Sequence, residues 1–164
     1  SMRAGDDRRP VMSVLLSILG GSMSSRLFQE IREKRGLAYT TYAFDSPYSD
    51  TGAWGMYAGT APERASEVEK LMQAELEKLA ATGPREEELV RVRGQLRGGM
   101  ALGLEDTLSR MSRLGRAELS GRYFSVDAAL ARIEAVQAED VRTLAEELAR
   151  RCVFTAEVVP EDRA

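Results

Sequence analysis

Arg32 and Tyr39 carry groups able to do chemistry and stand in one stretch, residues 20–39. The guanidinium is always charged and offers five N–H donors, whereas the phenol offers one O–H donor. A glycine turn precedes a short amphipathic helix, and Gly36 separates that helix from the tyrosine, so both side chains could reach into a shared cleft. Considered alone, Arg32 is typical of a solvated helix arginine, and Tyr39 is typical of an aromatic residue that packs on a strand.

A short helix is needed to position the arginine. The serines at residues 22–25 are predicted to cap this helix, and Gly36 is predicted to end it. Its predicted buried face consists of Leu27, Phe28 and Ile31.

A β-hairpin is predicted to position the tyrosine. Residues 39–44 and 53–59 alternate in the manner of strands, and the turn-forming residues 46–52 lie between them. The second strand is predicted to place Trp54, Met56 and Ala58 on one face and Gly55, Tyr57 and Gly59 on the other.

The remaining elements are mostly helical. A first helix is predicted before Gly20 and Gly21, with Asp6 or Asp7 at its start and these glycines as a left-handed stop. Further helices are predicted after a capping box at residues 60–63, after Gly83, before Gly121, after Ser125 and around residues 141–148. Four glycines in the helix after Gly83 predict a kink or a close helix crossing: Gly94, Gly98, Gly99 and Gly103. A last strand is predicted over residues 152–159.

This order of elements predicts an α+β fold, an antiparallel sheet with helices packed on one face. Only three strands are visible, so we expect the chain to be a fragment that lacks an N-terminal strand. Residues 1–5 are expected to be a disordered start in which Ser1 and Met2 look like a cloning scar, residues 6–160 the domain, and residues 161–164 a tail.

Composition excludes several classes of function. The 164 residues have a formal net charge of -3, which disfavours a nucleic-acid or anionic-membrane surface. No apolar run is long enough to span a membrane, and the polar first residues do not resemble a signal peptide. Because Cys152 is the only cysteine, no internal disulfide can form, and we expect a cytoplasmic protein of bacterial type.

Other catalytic and binding motifs are weak or absent. The sequence has no histidine, so a histidine base and a histidine-ligated metal are excluded within this chain, and Cys152 is interpreted as an inert core thiol. The turn at Gly20 follows a helix and lacks the P-loop ending, which disfavours phosphate binding. Glutamates on the same helices indicate a solvated, ion-paired face rather than an RNA surface for Arg91, Arg93, Arg97, Arg110, Arg113 and Arg116.

Several ordered blocks resemble the second, zinc-free half of the M16 family of zinc metallopeptidases, in its bacterial, processing-peptidase-like branch. The resemblance extends from about Asp7 to Val159 and is carried by residues 20–39, 96–105, 109–116 and 133–141. It implies the half-domain fold of M16 and LuxS-like metallohydrolases.

The resemblance also implies a role for the two residues first considered. Members of the family bind zinc through an H-x-x-E-H helix and a downstream glutamate in their first half, whereas the second half supplies an arginine and a tyrosine that hold the substrate carbonyl. Arg32 and Tyr39 match the spacing and context of that pair. No cofactor is then expected in this chain, and Zn²⁺ is expected in a missing N-terminal half or in a partner subunit.

Two functions follow from the resemblance. In the first, the chain is the carbonyl-binding half of a zinc endopeptidase that cleaves peptides or unfolded chains and is inactive alone. In the second, it belongs to a non-catalytic structural subunit or to a heterodimer partner. The expected partners are a zinc-bearing half and a peptide substrate, and an exposed sheet edge could also support a homo-oligomer.

Overall fold

A computed structural model describes residues 1–151 and 153–159. The first half comprises helix α1 (Arg9–Gly20), a π-helix (Phe28–Glu33), strands β1 (Ala38–Pro47) and β2 (Gly52–Thr60) and a 3₁₀ turn (Pro62–Arg64). The second half is helical: α2 (Ala65–Thr82), α3 (Glu86–Gly103), α4 (Thr107–Ser120), α5 (Val126–Glu134) and α6 (Ala138–Ala149). The predicted α+β class is confirmed, with a two-stranded antiparallel sheet and helices against one of its faces.

Helix α1 lies at the centre of the main core. Its apolar positions recur with helical spacing, and Val14, Leu15 and Leu19 are fully buried. Apolar side chains of α2, α3 and α6 surround them, including Leu79, Leu89, Val141 and Leu144. Helix α1 is therefore held between the other helices and the hairpin.

The two ends of α1 differ from the sequence prediction. The helix begins at Arg9, so Asp6 is not its cap; the Asp6 carboxylate instead accepts the Arg8 N–H at 2.8 Å, and this bond lowers its pKa. Neither Gly20 nor Gly21 has a positive φ, so no left-handed stop is present. A Cβ on Gly20 would stand 2.7 Å from the Tyr42 carbonyl carbon, so this glycine is required because α1 packs directly on the backbone of β1.

The two strands pair as predicted, and the two faces of the hairpin carry the residues predicted for them. In its register Tyr42 lies opposite Tyr57, and Ala43 lies opposite Met56. The face that carries Ala43, Trp54 and Met56 packs against the main core, whereas the other face is open to solvent.

Two predicted features beyond the hairpin were wrong. Thr60 does not cap a helix, because it ends β2 and its hydroxyl donates to the Leu37 carbonyl at 2.5 Å. Residues 153–159 form no strand and are exposed, since no neighbouring strand lies beside them among the described residues. Cys152 and residues 160–164 lie outside the described residues.

Helix α3 runs through its four glycines without a close crossing. A Cβ on Gly94, Gly98, Gly99 or Gly103 would meet no other atom within 4 Å. The predicted close crossing was therefore wrong, and the exposed half of α3 is left with four residues that weaken a helix.

Gly98→Ala is expected to stabilise the chain by about 0.5 to 1 kcal/mol, because alanine restricts the unfolded chain and meets only open space in the fold. Urea unfolding of the 164-residue chain would measure the gain. The matched change Gly20→Ala should destabilise the chain, since its Cβ would overlap the backbone of β1. Equal effects at both positions would contradict this account.

The start of the chain packs on the domain, whereas the sequence predicts disorder there. Met2 is buried in the main core, and the Ser1 amino group donates to the Gly52 carbonyl at 3.0 Å. Among the described residues, no helix combines the length and apolarity needed to cross a bilayer.

Candidate functional site

The arginine lies on a π-helix rather than on the predicted α-helix. Its widened turn is closed by the bond from the Lys34 N–H to the Gln29 carbonyl, 3.0 Å long, which spans five residues. Leu27 and Ile31 are fully buried and fix the inner side of this turn, whereas Phe28 is only partly buried, contrary to the prediction. The predicted serine cap is absent as well, because the Ser25 hydroxyl donates to the Ser22 carbonyl at 2.6 Å.

The Arg32 guanidinium is held between two aromatic rings. Its Cζ atom lies 4.7 Å from the ring centroid of Phe28 and 5.0 Å from that of Tyr39, within the range of cation–π attraction. Across residues 1–151 and 153–159, the guanidinium makes no hydrogen bond and no ion pair. The rings therefore orient the charge while its N–H donors stay free for a ligand.

A β-bulge exposes the tyrosine. Ala38 pairs with Thr60 and Thr40 pairs with Gly59, so Tyr39 is the extra residue of β1. Simple alternation would place Tyr39 on the buried face beside Thr41, but its side chain is 80% exposed. The bulge thus directs the ring toward Arg32 and leaves the phenol accessible.

The turn that joins the two residues is held by β2 and by the segment after it. Gly36 has a φ of 60°, a left-handed conformation suited to glycine, and its carbonyl accepts the Arg64 guanidinium at 2.9 Å. Thr60 holds the next carbonyl, that of Leu37. The predicted glycine stop is therefore confirmed, and it brings Arg32 and Tyr39 into contact.

Two other cations of this segment are paired with a carboxylate. Lys34 and Arg35 both bind the Glu30 carboxylate, and their hydrogen bonds lower its pKa from 4.5 to about 2. Arg32 has no such carboxylate within the described part of the chain. Its charge is therefore the one that this segment can offer to an incoming group.

An uncharged aromatic surface lies on the open face of the hairpin. Tyr42 stacks on Tyr57 with ring centroids 4.9 Å apart, and Phe44 lies 6.1 Å from Tyr42. All three side chains are at least 40% exposed. Sequence reasoning placed Tyr57 on this face but did not single out Tyr42 or Phe44, although their alternation with Thr41 and Ala43 was the available signal.

No ligand set for a metal is formed in the described part of the chain: no three acidic, cysteine or histidine side chains converge there. The residues at hand thus do not fit a zinc ion, which prefers nitrogen and sulfur ligands in a tetrahedral arrangement. The chemistry offered by Arg32 and Tyr39 is hydrogen-bond donation to an electron-rich oxygen.

Comparison with known sequences gives one family. The profile described as the peptidase M16 inactive domain matches residues 3–96. An uncharacterised zinc protease of Streptomyces coelicolor is 48% identical over 147 residues, which cover 89% of this chain and 32% of that protein. One from Bacillus subtilis is 38% identical over 148 residues, which cover 90% of this chain and 36% of that protein. The chain thus spans about a third of the length of these curated relatives.

Comparison with solved structures gives the same fold. A peptidase M16 inactive domain from Pseudomonas fluorescens superposes with a TM-score of 0.81 at 24% identity, over 89% of this chain and 35% of that one. A chain of complex III from Candida albicans superposes with a TM-score of 0.76 at 20% identity, over 88% of this chain and 37% of that one. These two similarities concern the fold alone.

Proposed function

Because the chain belongs to the peptidase M16 family, as a domain of the type described as inactive, we propose that it is the carbonyl-binding half of a zinc-dependent endopeptidase. Arg32 and Tyr39 bind the substrate carbonyl, and a zinc-bearing half, in the same chain or in a partner subunit, completes the site. The observation that carries this proposal is the guanidinium held between the rings of Phe28 and Tyr39, with none of its donors bonded to a described residue.

The chemistry of the pair suits peptide-bond hydrolysis. Negative charge grows on the carbonyl oxygen as water attacks a peptide bond, and a zinc ion bound in the other half would supply that water in activated form. A phenol O–H aimed at this oxygen stabilises the transition state more than the ground state. The guanidinium can bind neighbouring carbonyls of the substrate and orient the phenol, since its charge lies over the phenol ring.

The aromatic surface on the open face of the hairpin supports a peptide or an unfolded chain as substrate. Tyr42, Phe44 and Tyr57 present apolar rings and hydroxyl groups without charge. An extended chain with exposed apolar side chains could lie across such a surface, whereas a highly charged ligand would gain little there. Cytoplasmic location is part of the same proposal.

A second candidate function is a non-catalytic subunit or a heterodimer partner. It is supported by the similarity in fold to a chain of complex III. The accessible Arg32 and Tyr39 favour the first function, because a purely structural subunit has no use for an unpaired guanidinium beside a free phenol.

The activity of the purified 164-residue chain and of the full-length protein distinguishes the two functions. With an unfolded protein such as casein as substrate, we expect no chelator-sensitive cleavage by the chain alone, because it supplies no zinc ligands among its described residues. The full-length protein, or its complex with a zinc-bearing subunit, should cleave casein and lose that activity on chelation. Cleavage by the chain alone would contradict the proposal, and inactivity of the complete assembly would favour the structural subunit.

A further inference from the structure

A buried ion pair attaches the segment that carries Arg32 to α3. The Glu88 carboxylate accepts two hydrogen bonds from Arg26, at 2.9 Å from Nε and 2.8 Å from Nη2. Arg26 also donates to the Gly83 carbonyl at 3.2 Å, and Glu88 accepts the Arg85 backbone N–H at 2.8 Å. Glu88 is only 2% exposed. Sequence reasoning did not pair these two residues with each other.

Two further side chains of α3 contact the same turn. The Arg91 guanidinium donates to the Ser24 carbonyl at 3.3 Å, and the Gln95 amide donates to the Gly21 carbonyl at 3.1 Å. Glu88, Arg91 and Gln95 are spaced by three and four residues, so they lie on one face of α3. This polar face therefore holds residues 21–26, directly before the π-helix.

Arg32 depends on such attachments for its position. Its guanidinium lies against the rings of Phe28 and Tyr39 and makes no hydrogen bond to the described residues, and neither ring contact fixes it as a hydrogen bond would. The segment before it is held at Gly20 by packing on β1, and the segment after it is held at Gly36 by Arg64. Between these two points, the ion pair is the most buried polar attachment that the described structure shows.

We propose that Arg26 and Glu88 are positioning residues for Arg32, and that their ion pair determines the position of the Arg32 guanidinium relative to the Tyr39 ring. This inference rests on the proposed function, in which Arg32 and Tyr39 act together on one carbonyl. A two-pronged hydrogen bond fixes distance and direction at once, whereas an apolar contact would stabilise the turn without directing it. The pair thus transmits the position of α3 to the site.

Glu75 provides a matched control. It is 6% exposed, but its partner Lys78 lies one turn away on the same helix, at 2.6 Å. Glu75→Gln therefore removes a buried charge from the cleft that Arg26 and Glu88 also line, but it breaks only the bond to Lys78 and none to the segment that carries Arg32. Glu88→Gln removes a buried charge and also weakens the bond to Arg26.

The test is the NMR signal of the Arg32 side chain in the 164-residue chain. Its Hδ and Hε resonances should be shifted upfield by the ring currents of Phe28 and Tyr39, which lie close to its guanidinium. In Glu88→Gln we expect these resonances to move toward random-coil values, whereas in Glu75→Gln they should stay in place. An unchanged Arg32 signal in folded Glu88→Gln would overturn the inference.

If Glu88→Gln does not fold, Arg26→Lys tests the positioning role of the ion pair instead. Lysine keeps the charge but cannot reproduce the planar two-pronged contact. We expect the Arg32 upfield shift to be reduced in this variant, and a full shift would overturn the inference.

Activity of the full-length protein separates this inference from the proposed function. Glu88→Gln is expected to reduce kcat/KM by as much as about 100-fold, the effect of a small displacement of a catalytic group, while Glu75→Gln stays near wild type. If the NMR shift is lost but Arg32→Ala and Tyr39→Phe leave activity unchanged, the positioning stands and the proposed function fails. If Arg32→Ala loses activity but the Arg32 signal in Glu88→Gln keeps its wild-type upfield shift, the proposed function stands and the positioning role fails.

Discussion

Tyr39→Phe in the full-length protein is expected to lower kcat on the order of 100- to 1,000-fold, the usual effect of removing one donor to the developing oxyanion. The ring remains, so the cation–π contact with Arg32 is preserved. Because the phenol is proposed to act on the transition state, KM should change little, and any zinc bound by the full-length protein should be unaffected. Steady-state kinetics on a peptide and metal analysis of the same sample provide the measurement.

Tyr123→Phe is the matched control for this change. Tyr123 is 64% exposed and lies in the segment between α4 and α5, where its ring contacts Arg113. The loss of its hydroxyl should leave kcat within about twofold, as is usual for a surface change. If Tyr39→Phe behaved like Tyr123→Phe, the proposed role of Tyr39 would be wrong.

Arg26→Met is expected to destabilise the chain by about 3 to 5 kcal/mol at about pH 7, because the buried Glu88 carboxylate loses its two-pronged partner and keeps only the exposed Arg85, whose guanidinium lies 3.4 Å away. Methionine retains the apolar length of the side chain, so the loss is mainly electrostatic. Urea unfolding of the 164-residue chain measures it. Arg97→Met is the control, since Arg97 and Glu134 form an exposed pair at 3.7 Å that should contribute no more than about 1 kcal/mol.

The effect of Arg26→Met should depend on pH. Burial raises the pKa of Glu88, but the hydrogen bonds from Arg26 and from the Arg85 N–H outweigh burial and bring the pKa from 4.5 to about 2. This lowered pKa corresponds to about 3 kcal/mol of stability, present above the unfolded pKa and lost as the pH falls toward 2.

Without Arg26, the hydrogen bonds from Arg85 remain, but burial is the largest influence on Glu88, and its pKa is expected to rise above the unfolded value. Stability of the variant should then increase as the pH is lowered from about 7 to about 4.5, because the folded state takes up the proton more readily. The wild-type chain gains nothing from Glu88 in that range, so the difference between the two proteins should narrow. A difference that is constant with pH would contradict the assigned role of this charge.

The sequence predicted the hairpin and both of its faces correctly. Alternation along residues 53–59 placed Trp54 and Met56 together, and both pack against the main core. Such patterns are local, because a strand alternates its side chains whatever lies beyond it. The predicted strand over residues 152–159 failed over 153–159 for the complementary reason: alternation indicates that a strand can form, but a neighbour must supply its hydrogen bonds.

The candidate pair was found from residue type, spacing and family resemblance, but its geometry was not. Neither the π-helix at Phe28 nor the bulge at Tyr39 has a clear sequence signal. Each contains one extra residue, and the packing of buried neighbours determines where that residue is accommodated. Gly20 was interpreted as a helix stop, and the fold shows that it permits α1 to approach β1. The Arg26–Glu88 pair joins residues 62 positions apart, which no local pattern can reveal.

By itself, the sequence thus determined the α+β class, the order of most elements and the two residues proposed to contact substrate. Hydrophobic periodicity, glycine stops and motif spacing act over a few residues, so they can be read without the fold. Only the tertiary structure decided that Arg32 stacks on Tyr39, that its donors have no partner among the described residues and that α3 holds its segment in place. Those facts depend on contacts between distant parts of the chain, and these contacts exist only once the core around α1 has packed.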